Sequence, residues 1–152
     1  MIRYVFSLCL LFVTIVACNK EDKIIEQSTT DKGLIEDYVA TNNLTGSFNA
    51  SDLWYSVENQ GGGVQAYTGA TVTVAYTGYL LNGSQFDESP AGGATFSLNN
   101  VISGWQQGIP KFKEGGNGKL IIPSLLGYGT EAVGSIPANS VLIFDVELID
   151  VL

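Results

Sequence analysis

The stretch Thr71-Val72-Thr73-Val74-Ala75-Tyr76-Thr77-Gly78-Tyr79-Leu80, followed by Leu81-Asn82-Gly83-Ser84-Gln85-Phe86-Asp87, sets the fold class. Val72, Val74 and Tyr76 alternate with other residues at the period of two expected of a strand with one buried face, and Asn82-Gly83 marks a tight turn after it. Upstream, Leu53-Trp54-Tyr55-Ser56-Val57 reads as a further strand, broken by Gly61-Gly62-Gly63. Downstream, residues 89–100 carry Pro90-Ala91-Gly92-Gly93 and few apolar side chains besides Phe96 and Leu98, which predicts a loop. A helix of one or two turns is expected over residues 103–108, around Trp105, too short to persist except against a sheet. Residues 119–122 and 141–151 supply two more strands. The second sets Leu142, Phe144, Val146 and Leu148 against Ile143, Asp145 and Glu147, with the two carboxylates on a solvated face. Four or five strands, eighteen glycines and one essential short helix predict an α+β domain, an antiparallel sheet curled around that helix.

Charge and composition remove whole classes of function. The 152-residue chain has seven Lys+Arg against fifteen Asp+Glu, a net charge of −8, which disfavours nucleic acid as a partner. It has no histidine, so imidazole bases, Ser-His-Asp triads and His-ligated metals are excluded. The two cysteines, Cys9 and Cys18, both precede the folded body, which therefore holds neither a disulfide nor a thiolate metal cage. No cofactor and no metal are expected.

The N-terminus reads as an address. After Met1-Ile2-Arg3 an apolar run extends to Ala17, interrupted only by Ser7 and Thr14 and short for a membrane-spanning helix. Its end, Ile15-Val16-Ala17-Cys18, resembles the lipobox of bacterial lipoproteins. That resemblance implies removal of residues 1–17, lipidation of Cys18 and attachment to the outer membrane, facing the periplasm or the cell surface. The alternative is an ordinary signal peptide or a buried helix. Residues 1–17 contain one charge, Arg3, so their removal takes the net charge from −8 to −9 and leaves lipid alone to hold the chain to a bilayer. Asn19-Lys20-Glu21-Asp22 is similar to the Lys-plus-acidic export signal of some Bacteroidetes surface lipoproteins. Charged and small polar residues dominate from Asn19 to Lys32 and predict a solvated tether over residues 18–33, followed over residues 34–52 by a short helix and a linker. Leu34, Ile35, Tyr38, Val39 and Leu44 form the helix's apolar face, with Asp31 as its cap.

Four blocks in order carry a family resemblance: Val74-Ala75-Tyr76-Thr77-Gly78 with Gln85-Phe86-Asp87; Val101-Ile102-Ser103-Gly104-Trp105; Tyr128-Gly129; and Ile136-Pro137 leading to Leu142-Ile143-Phe144-Asp145-Val146. Across residues 53–152 the chain resembles the FKBP-type peptidyl-prolyl isomerases. The resemblance implies a five-stranded antiparallel half-barrel around the short helix, monomeric and acting on proline-containing polypeptides. It also implies the site: Trp105 as floor, with Tyr76, Phe86, Phe96, Val101, Ile102 and Phe144 as walls. Asp87, Tyr128 and the Ile136 backbone amide would supply the polar contacts. Where the family has an aromatic wall this chain has Ala94, two residues before Phe96, and Ala138 stands where a second proline is frequent.

These residue types suit one kind of chemistry. Rotating a peptide bond costs about 18–20 kcal/mol because its resonance must be broken, whereas the two isomers of an X-Pro bond differ by only about 0.5–1 kcal/mol. The planar imide is more charge-separated than the twisted one, so an apolar aromatic cavity favours the twisted state. Neither nucleophile nor metal is needed. A pocket of this kind can also bind a proline segment, or act as a chaperone module, without turnover. The loss of a wall at Ala94 leans that way.

Overall fold

The computed structural model describes residues 20–152. Its elements are α1 (Lys20–Thr41), β1 (Ser47–Phe48), β2 (Trp54–Asn59), β3 (Thr71–Leu80), β4 (Gln85–Glu88), β5 (Ala94–Ser97), α2 (Ser103–Gly108), β6 (Gly116–Ile122) and β7 (Leu142–Val151). The strands form one sheet in the order β1-β2-β6-β7-β3-β4, and β5 pairs with β3 beside β4. All pairings are antiparallel. β4 and β5 share one edge of β3, at Thr77–Tyr79 and Thr71–Val74, and β1 is a two-residue stub. Five full lanes remain, the expected half-barrel.

Alternation along the strands divides the sheet into two faces. Val72, Val74, Leu120, Ile122, Leu142, Phe144, Val146 and Leu148 bury toward α2. Asp145 and Glu147 are exposed on the other face, as the alternation predicts, and Lys119 pairs with Asp145 there. The six residues of α2 cannot hold a helix alone, and packing replaces propensity. Gly104 and Gly108, one turn apart, let its backbone lie directly on β6. A Cβ at Gly104 would stand 2.4 Å from Ile122 Cγ2, and one at Gly108 2.6 Å from Leu120 Cδ1.

Three expectations need correction. Residues 20–33 are the first half of α1, not a tether, and Asp31 lies within the helix, fully buried, rather than capping it. Periodicity missed this because Ile24 and Ile25 remain exposed, while the inward residues are Asp31 and, one turn later, Ile35. Ile35 enters a second core on the outer face of the sheet with Trp54, Ile121, Val141 and Ile143, a burial that contributes about 1.5–3 kcal/mol. The helix is thus packed onto the β body. Finally, the loop predicted over residues 89–100 contains β5 and the 3-10 turn Leu98–Asn100. Ala-Thr-Phe-Ser is too short to announce a strand, and it is one because the edge of β3 offers it a ladder.

Candidate active site

Trp105 leaves α2 between the two glycines that seat the helix and is 4% exposed. Three rings stand nearly perpendicular to it: Tyr76 at 5.0 Å and 89°, Phe144 at 5.4 Å and 82°, and Phe96 at 5.5 Å and 82° between centroids. Edge-to-face pairs of this kind add about 0.5–1.5 kcal/mol each beyond burial, so the cup is rigid as well as apolar. The indole Nε1–H is buried and donates to no protein group among the described residues.

The cavity above the indole measures about 290 Å³ and is lined by Tyr76, Asp87, Phe96, Asn100, Val101, Ile102, Trp105, Tyr128 and Phe144. Seven of the nine carry the apolar and aromatic surface, and the polar groups sit at the rim. Larger concavities on the outer face are shallow grooves beside Lys119 and Asp145, with no comparable ring cluster.

At the rim the Tyr76 hydroxyl donates to Asp87 Oδ2 at 2.9 Å, and the Glu88 amide donates to Asp87 Oδ1 at 2.9 Å. Burial, reinforced by the hydrogen bond to Asp87 and its charge, pushes the Tyr76 hydroxyl up to about 12. It therefore stays a donor and holds the carboxylate in place. Tyr128 is 38% exposed on a loop whose backbone closes on Ser124: the Gly127 and Gly129 amides, on either side of it, both donate to the Ser124 carbonyl, at 2.9 and 2.8 Å.

Eight of the ten residues expected at the site line this cavity. Phe86 stands one layer back, edge-on to Phe144 at 5.5 Å, where the rings of both pack over Gly78. It braces a wall without forming one. Ile136 is buried in the core, and its amide donates to the Val133 carbonyl at 2.9 Å, so the polar contact expected of it is already used within the fold. Asn100 was not expected at the rim. Its signal in the sequence was a polar residue directly before Val101-Ile102, which become the wall once the Leu98–Asn100 turn brings them round.

Chemically the arrangement offers an apolar floor and walls, one carboxylate and two tyrosine hydroxyls. Among the described residues no group of three or more acidic or sulfur ligands is gathered to hold a metal ion. Such a cup can bind a small apolar ring and orient a neighbouring carbonyl, and its hydroxyl–carboxylate pair, Tyr76 with Asp87, keeps the tyrosine protonated rather than activating it as a nucleophile.

A half-barrel sheet around a short helix, with a tryptophan floor under an aromatic cup, defines the class, and comparison with known proteins agrees with it. Residues 62–149 match the model of the FKBP-type peptidyl-prolyl cis-trans isomerases, and the chain belongs to that family. Among individual relatives it is similar to the FKBP-type peptidyl-prolyl cis-trans isomerase FkpA of Buchnera aphidicola subsp. Schizaphis graminum, 48% identical over 105 residues, 67% of this chain and 42% of that protein. FkpA of Escherichia coli K12 is 44% identical over 104 residues, 67% of this chain and 38% of that protein. The crystal structure of E. coli FkpA superposes with a TM-score of 0.72 at 36% identity, over 86% of this chain and 63% of that one. AtFKBP13 superposes with a TM-score of 0.65 at 35% identity, over 71% of this chain and 99% of that one. The chain spans less than half the length of the curated relatives it matches.

Proposed function

We propose that this chain catalyses cis-trans isomerisation of X-Pro bonds in polypeptide clients and so assists their folding. The observation that carries the proposal is the Trp105 floor with Tyr76, Phe96 and Phe144 standing edge-on around a cavity of about 290 Å³. That volume admits a proline ring and its flanking imide, not a folded surface. Inside, the imide exchanges water for aromatic carbon, which weakens its charge-separated planar form. Asp87, fixed by Tyr76, and Tyr128 act on the twisted state by orienting its polar groups at the rim. No proton is transferred and no bond is made.

The second reading, a module that holds proline segments without turnover, is favoured by one observation: Ala94 contributes nothing to the pocket lining beyond Phe96. Exchange NMR on a short proline peptide separates the two. An isomerase speeds magnetisation transfer between the cis and trans proline resonances, whereas a holding module shifts them without speeding exchange.

The same proposal places the chain in a bacterial envelope, tethered to the outer membrane by lipid on Cys18 and acting as a monomer. Cys18 and the apolar run before it lie outside the described residues. What supports this part is the Ile15-Val16-Ala17-Cys18 sequence. Among the described residues no helix is long and apolar enough to cross a membrane.

A further inference from the structure

Asp31 is the one buried charged side chain among the described residues, and it lies on α1, outside the pocket. Its Oδ2 accepts two hydrogen bonds from Ser124, at 2.7 Å from the backbone amide and 2.6 Å from the hydroxyl, across 93 residues of sequence. Its Oδ1 accepts a third, at 2.7 Å, from Gln27 one turn earlier on the same helix. Ser124 is itself fully buried, and its carbonyl accepts the amides of both Gly127 and Gly129. The carboxylate therefore grips one end of the loop through the same residue that fixes the backbone on either side of Tyr128.

A plain helix anchor does not require this arrangement. Burying a carboxylate costs several kcal/mol before its hydrogen bonds are counted, and an apolar residue such as Ile35 docks the same helix without that cost. What the carboxylate adds is direction. One of its oxygens accepts from the backbone amide and the hydroxyl of Ser124 together, and so sets where Ser124 and the loop behind it stand. Tyr128 itself is 38% exposed on the pocket rim, beside Gly129 at φ +60°, and its carbonyl accepts from the Glu131 amide at 3.2 Å, so the loop's tie to the helix runs through Ser124.

We propose that Asp31 is a positioning residue for the isomerase site, holding Tyr128 over the pocket through Ser124, so that α1 is part of the working enzyme rather than an appendage. The inference rests on the isomerase reading above. Asp31→Asn keeps an oxygen for Ser124 and sets its NH2 toward Gln27, whose side-chain amide can turn over to meet it with its own oxygen, so this conservative variant should hold the loop. Asp31→Ala removes all three acceptor contacts and should release it.

The test uses the full chain carrying 3-fluorotyrosine, with the Tyr128 fluorine resonance assigned by its loss in Tyr128→Phe, together with kcat/KM on a proline tetrapeptide. Asp31→Ala and the gentler Ser124→Ala should both move or broaden the Tyr128 resonance and lower kcat/KM, by about tenfold for Asp31→Ala. Asp31→Asn should preserve both readouts, and Asp31→Ala should cost no further activity in a Tyr128→Ala background. A Tyr128 resonance that stays put in both alanine variants overturns the proposal, as does a full further loss in the Tyr128→Ala background. If the unaltered chain has no isomerase activity, the isomerase reading fails, and the fluorine resonance still decides whether Asp31 holds the loop.

Discussion

The Tyr76 hydroxyl and the Asp87 carboxylate lie 2.9 Å apart at the mouth of the pocket, with the tyrosine donating. The pair joins β3 to β4 and turns an otherwise solvated carboxylate into a fixed polar edge. Its titration is a first test. Burial, the hydrogen bond and the charge of Asp87 together raise Tyr76 to about 12. The neutral form is therefore favoured in the folded state, so the contribution to stability is complete below about pH 10 and is lost as the pH climbs toward 12. Ultraviolet titration of Asp87→Ala should show Tyr76 ionising earlier than in the unaltered chain, yet still above the usual value near 10, because burial remains. An unchanged titration would mean that the contact does not exist in solution.

Turnover should be nearly flat between about pH 6 and 9, because the chain has no histidine and Tyr76 stays protonated throughout that window. Rates of peptide isomerisation measured across the range check this. A steep profile would point to acid–base chemistry that this site does not contain.

Gly78 explains why the Tyr-Thr-Gly motif ends in glycine. A Cβ there would lie 2.7 Å from the Phe86 ring and 3.0 Å from Phe144, the two aromatic side chains packed edge-on above it. Gly78→Ala should force those rings outward, destabilise the fold by about 1–3 kcal/mol and weaken peptide binding with it. Denaturant melts and a peptide titration on the same sample measure both. Wild-type stability would show that the rings have room the structure does not give them.

Ala94 lies on β5, two residues before Phe96 and opposite Val74. Ala94→Phe should extend the wall beyond Phe96 and improve binding of a proline peptide or an apolar macrocycle by about 0.5–1.5 kcal/mol, the worth of one aromatic contact. Calorimetric affinities that are equal or weaker would show that this edge of the pocket is not where the substrate lies.

For the N-terminus, Cys18→Ser should block fatty-acid labelling and move the protein from the membrane fraction to the soluble one, or leave it unprocessed. Labelling that persists in the variant would rule out lipidation at that residue.

The parts of the fold legible in the sequence are those whose reason is local. β3 runs over Thr71–Leu80 as the alternation of Val72, Val74 and Tyr76 indicates, and α2 covers Ser103–Gly108. The illegible parts depend on distant partners. The first half of α1 is held by a buried carboxylate 93 residues from the serine that donates to it, a signal that a search for apolar periodicity passes over. β5 is a strand only because β3 leaves an edge free beside β4. The candidate site divides in the same way. Tyr76, Asp87, Trp105 and Tyr128 gather as their motifs imply, whereas the second-layer place of Phe86 and the use of the Ile136 amide within its own turn follow from packing that the motifs do not encode.

The most direct test of the account is a protease-coupled assay of a chromogenic tetrapeptide with one X-Pro bond, run on the full chain, Asp87→Ala and Tyr128→Phe. The first-order rate should rise in proportion to the concentration of the unaltered chain. It should fall by about tenfold in each variant while melting stays cooperative, since each loses one rim contact to the twisted imide and no core packing. A rate no faster than the uncatalysed one at any concentration of the unaltered chain, or full activity in both variants, would contradict the assignment of this pocket as an isomerase site.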